Sequence, residues 1–167
     1  MSKISVQDIT KRLLEYNLWA NERLISYLTE IDRKTLYEFT GSSFGTIDKT
    51  IQHLLSAELY WYAIIFSGTI NDFNQPDRQH LADQVMIDLL ASSRRLVNDL
   101  SRFTENELVS LIQASDSRQS RYEYIFHLVN HASYHRGQII SMCRALHITG
   151  ELPVTDYDAY LWWLENK

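Results

Sequence analysis

The sequence predicts an all-α fold of four long helices, near residues 6–30, 46–66, 81–103 and 121–147, with a short one near 156–165. Three observations carry that prediction. Five glycines and two prolines in 167 residues are too few for a turn-rich β architecture. Apolar residues recur at three- and four-residue steps, the period of a helix face, through four separate stretches. Residues that start helices stand just ahead of those stretches. The clearest case is Ser120-Arg121-Tyr122-Glu123, a capping box in which serine and glutamate each satisfy the other's backbone N–H.

The chain length fits one domain, 1–167, able to bury a substantial core. A formal charge of −5 and the lack of any lysine or arginine cluster argue against a nucleic-acid partner. One cysteine allows no internal disulfide and fits a reducing, cytoplasmic setting. No run of 18 apolar residues exists and the amino terminus lacks an apolar segment, so no membrane association is expected.

Taken in order, the first helix is marked by Val6, Ile9, Leu13, Leu14, Leu18, Leu24, Ile25 and Leu28, with Ser5 as its cap. Asp32 is expected to cap a short turn carrying Leu36 and Phe39, and Gly41 to Gly45 reads as a loop. The second helix is capped by Thr46, ended by Gly68, and holds Ile47, Ile51, Leu54, Ala57, Trp61 and Ile65 on one arc. His53 lies at the edge of that arc and Glu58 in its middle. Asn71 to His80 contains Pro76 and reads as a polar loop with a solvated histidine. Val85, Leu89, Leu90, Leu96 and Leu100 form the inner face of the third helix. Thr104 to Gln119 admits either an extended segment or a turn of helix.

The fourth helix carries the chemistry. His127, His131 and His135 fall on one stripe that Gln138 and Met142 continue, at about 100° per residue. Imidazoles four apart project side by side from consecutive turns and can share one ion. Spacing alone fits a metal site and equally fits three surface or core histidines. The same helix has a broad apolar arc, Ile125, Leu128, Val129, Ala132, Ile139, Ile140, Cys143 and Leu146, with Arg136 in its middle. A charge there is costly unless paired, and Glu58 is the acidic partner it calls for. Two helices with matching edge histidines and opposite mid-arc charges point to a shared site. Gly150 and Pro153 are expected to stop the helix, and Thr155-Asp156 to cap the last one, Tyr157 to Glu165.

Several stretches resemble the DinB/YfiT-like metalloprotein family: Leu18-Trp19-Ala20-Asn21-Glu22-Arg23, Gln52-His53 through Glu58 to Trp61, Asn130-His131-Ala132-Ser133-Tyr134-His135-Arg136-Gly137-Gln138, and Gly150-x-x-Pro153-x-Thr155-Asp156. The resemblance implies a four-helix bundle and a divalent metal held by three histidines, which map to His53, His131 and His135. Tyr134 stands where the family often has histidine, at a position that is not a ligand. His127 matches a common family histidine outside the ligand set. With Glu58, Arg136 and Gln138, it is expected to play a supporting role. The resemblance also implies dimers, for which the third helix and the aromatic tail offer apolar surface. It further implies use of a low-molecular-weight thiol such as bacillithiol, mycothiol or glutathione.

Three imidazoles leave coordination positions for water or substrate, the pattern of a catalytic metal site. Imidazole suits zinc, nickel, copper or iron; zinc or nickel is expected. Such a metal can hold a thiol as its thiolate for attack on a small electrophilic substrate. It can also activate water, but no H-E-x-x-H motif is present and Glu58 is placed with Arg136. A metal-dependent hydrolase and a non-catalytic metal-binding stress-response protein are the alternatives. Cys143 reads as a small core residue. No catalytic residue is assigned.

Overall fold

The computed structural model describes residues 4–68, 82–114 and 117–167. In chain order the elements are α1 (Val6–Thr29), α2 (Arg33–Leu36), α3 (Ile47–Tyr62), α4 (Ala82–Asp99), α5 (Glu105–Val109), β1 (Leu111–Ala114), β2 (Ser117–Ser120), α6 (Arg121–Ala145) and α7 (Tyr157–Glu165). The all-α reading holds. Helices α1 and α3 each pack against both α4 and α6, which makes a four-helix bundle with α1 diagonal to α3 and α4 diagonal to α6. Histidines on α3 and α6 therefore sit on neighbouring helices. No helix among the described residues is long and apolar enough to cross a membrane.

Local sequence accounts for most boundaries. The Ser5 hydroxyl accepts from the Asp8 N–H at 3.1 Å while the Asp8 carboxylate accepts from the Ser5 N–H, and Ser120 with Glu123 repeats the arrangement at α6. Helix α3 runs on as a π turn, Ala63–Ser67, and stops at Gly68, whose φ of 70° is a left-handed conformation that glycine adopts without strain. A 3-10 turn, Leu100–Arg102, tightens the end of α4.

Four expectations need correction or completion. The short turn capped by Asp32 ends at Leu36; Phe39 lies beyond it and is 78% exposed, while Leu36 alone enters the core. Helix α6 stops at Ala145, before Gly150. His147 adopts φ 53° and the Ile148 N–H reaches back to the Cys143 carbonyl, so a Schellman-type turn closes the helix without glycine. Asp156 occupies the cap position of α7 but its side chain makes no capping hydrogen bond. The 104–119 stretch is both things at once: α5, capped by Thr104, then the antiparallel hairpin β1–β2. The expected loop 71–80, with His80, lies outside the described residues.

The core is in two parts. One, at the α7 end, gathers Leu14, Trp19, Tyr62, Leu96, Ile125, Leu128 and Tyr160. The other gathers Leu24, Leu28, Leu36, Ile51, Leu54, Leu89, Ile139 and Met142. Between them lies a buried polar layer to which each long helix contributes: Asn17 and Asn21 from α1, Glu58 from α3, Ser93 from α4 and Arg136 from α6. That layer sets the height at which the bundle carries its polar chemistry.

Candidate metal centre

The helix period places His131 and His135 on consecutive turns of α6, and α3 brings His53 against them. The three Nε2 atoms converge: His53 to His131 is 3.2 Å, His53 to His135 is 3.1 Å, and His131 to His135 is 3.0 Å. Neutral imidazoles have little reason to point three acceptor-capable nitrogens at one spot, since at most a few protons can be shared among them. One ion with bonds of ~2.0–2.1 Å to imidazole nitrogen reaches all three corners of such a triangle. These three residues form a group that could hold a metal ion, and no aspartate, glutamate or cysteine of the described residues joins it.

Neighbours hold the rings and set their charge. Gln138, one turn beyond His135, accepts a hydrogen bond at Oε1 from His135 Nδ1 at 2.7 Å. That contact places the proton on Nδ1 and leaves Nε2 bare toward the cluster, the arrangement of a ligand histidine with its orienting partner. Phe44 stacks on His53 with ring centroids 4.3 Å apart and meets His135 edge-on at 5.5 Å. Burial, then the adjacent His135 and His53, push the His131 imidazole down from 6.5 to about 4. Burial also lowers His53, with His135 adding to the effect, and lowers His135 against the opposing Gln138 contact. All three are thus neutral near pH 7, the form that binds metal.

The other expected residues divide. His127 is exposed, with its ring 4.7 Å from Trp61 and 6.0 Å from His131, outside the converging set. Tyr134 is 64% exposed with its ring 5.0 Å from His135. His147 serves in the α6 terminus. Cys143 is fully buried and burial pushes its thiol up to about 11, consistent with a core role.

The direct Glu58–Arg136 pair expected from the two arcs is not what forms. Both side chains are 1% exposed, but two asparagines stand between them. Asn17 accepts from Arg136 Nη1 at 2.8 Å and donates to Glu58 at 2.7 Å. Asn21 does the same at 2.9 and 3.1 Å. The Ser93 hydroxyl lies within 3.0 Å of both Glu58 oxygens, and Arg136 Nη2 donates to Ser133 at 2.9 Å. Burial pushes Glu58 up and Arg136 down, and the hydrogen bonds and the opposite charge pull each back. The physical reason is the bundle axis: mid-arc side chains reach it, and α1 lays its own polar pair across the same height. Asparagine inside a helix competes with the backbone and is unfavourable there without a partner. Asn17 and Asn21, four apart on the stripe of Leu14, Leu24 and Leu28, were the available signal. Phe44 offered none, because its loop carries no period.

A profile described as the DinB family matches residues 4–167. Over 172 aligned residues the chain is 25% identical to Protein DinB of Bacillus subtilis (strain 168), covering 97% of this chain and 99% of that protein.

Proposed function

The chain belongs to the DinB family, and from that premise we propose that His53, His131 and His135 bind one divalent ion, zinc or nickel, in an enzyme that activates a low-molecular-weight thiol for transfer or isomerisation on a small electrophile. The observation that carries this reading is the triangle of Nε2 atoms with no carboxylate in it. A hydrolase normally keeps a carboxylate beside its nucleophilic water, and Glu58 is committed to Asn17, Asn21 and Ser93. A divalent ion at the triangle supplies the positive charge that holds a thiol as thiolate near pH 7.

The protein's own residues do the rest. Gln138 keeps His135 in the tautomer with a free Nε2. Phe44 covers His53 and limits water on that side. His127, exposed, lies beside His131 on the turn before it. The reading takes residues 1–167 as one domain in a reducing cytoplasm, working as a homodimer. Exposed Ile87 on α4 and Trp162 on α7, at 59% and 67%, support the dimer. A single sedimenting species of monomer mass counts against it.

Metal analysis of the purified protein comes first, then metal-loaded protein with a panel of small thiols and a generic electrophile, followed by loss of free thiol. Metal-dependent consumption that the His53→Ala variant loses is the expected result. Consumption indifferent to metal overturns the thiol reading, and protein that binds no divalent ion overturns the site.

A further inference from the structure

Past Gln138 the surface falls into a groove of about 480 Å³ between the turn at Thr40 to Ser42 and the face of α6. It is lined by Thr40, Ser42, Ser141, Tyr134 and the nearly buried Met142, and no lining residue carries a formal charge. One residue of the floor, Gly137, has no structural reason to be glycine. Its φ lies outside the left-handed range that glycine serves at Gly41, Gly45, Gly68 and Gly150. A Cβ added there meets nothing within 4 Å, so no close packing excludes a side chain. Glycine in the middle of a helix weakens it. What glycine does at this position is keep the floor low beside Gln138.

Gln138 belongs to both places. Its Oε1 holds His135, and its amide nitrogen has no partner among the described residues, which leaves its N–H donors free for an occupant. We infer that the groove binds an uncharged, elongated organic molecule, with an apolar stem along Gly137 and Met142 and a carbonyl or hydroxyl group at Gln138. An anion or cation would find no counter-charge among the lining residues, whereas a neutral polar group needs only the hydrogen bonds that Gln138 and the hydroxyls offer. Its identity as the electrophile that the thiol attacks rests on the proposed chemistry of the triangle. The groove's preference for a neutral ligand does not.

The test uses three probes of one skeleton: octanamide, octanoate and octylammonium. Each is titrated into protein labelled at the methionine methyl groups, metal-free and zinc-loaded, with core Met86 as the internal reference. Octanamide is expected to shift the Met142 methyl resonance saturably, with octanoate and octylammonium weaker by about tenfold or more. Gly137→Leu should abolish the shift while leaving zinc affinity at the wild-type level and the thermal midpoint at or above it, since the leucine fills the groove and replaces an interior helical glycine. No saturable shift with octanamide, equal shifts for the three probes, or binding untouched by Gly137→Leu would each overturn the proposal. Because no probe carries a thiol, failure of the thiol chemistry with intact octanamide binding leaves the groove standing. Thiol consumption without octanamide binding removes the groove alone.

Discussion

At the histidine triangle each side chain has a separable task. His53, His131 and His135 supply the three nitrogens, Gln138 orients one of them, and Phe44 packs against another. Replacing any one histidine by alanine should sharply reduce bound metal measured by elemental analysis, whereas His147→Ala should not. Full occupancy in His53→Ala would leave only two histidines of one helix and end the three-ligand reading. Gly137 supports a second prediction at this scale. Relative to alanine, an interior helical glycine costs about 0.8–1.0 kcal/mol, and nothing crowds its Cβ position. Gly137→Ala should therefore raise stability by about that amount, a rise in the melting midpoint of about 2–4 °C. A destabilised variant would show that the space over Gly137 is not free.

The helices are coupled by the buried polar layer. Every long helix contributes to it, so helix pairing is tied to one register at one height. Removing Glu58 leaves Arg136 buried and uncompensated, and breaking such a buried pair typically costs about 3–5 kcal/mol. Glu58→Ala should lose that much in denaturant titration, against a small change for exposed Glu38→Ala. Asn17→Leu removes a donor and an acceptor together, and should lie between the two because Asn21 still bridges the charges. If Asn17→Leu is neutral, Asn21 alone carries the bridge.

For the whole molecule, the histidines tie stability to pH. His131 is held down to about 4 from 6.5 by burial and its neighbours, and His53 and His135 are lowered too. In that window the unfolded chain takes up protons that the native triangle refuses. Unfolding free energy of the metal-free protein should therefore fall as pH drops from 6.5 toward 4. Melting curves across this range should slope less steeply for His131→Ala, and identical slopes would contradict the assignment. Bound metal adds to native stability by mass action, about 2.7 kcal/mol at a hundredfold excess over Kd. That gain should shrink as pH falls, because the ligands must be unprotonated.

What the sequence determined by itself was everything governed by short-range geometry. Capping boxes at Ser5 and Ser120 start two helices, Gly68 ends the π turn, and the period of α6 puts His131 and His135 on adjacent turns. Burial of Glu58 and Arg136 was equally legible, because a charge in the middle of an apolar arc has nowhere else to go. Tertiary structure decided how those pieces meet. Periodicity states an angle around one helix but neither which helices are neighbours nor how far they slide along one another. Both quantities come from packing four helices at once. They bring His53 to within 3.2 Å of its partners, insert Asn17 and Asn21 between two charges that pattern alone would join directly, and set Phe44 on His53. A loop residue such as Phe44 obeys no period, and a bridge across the bundle axis depends on a third helix. Only the packed bundle could place either one.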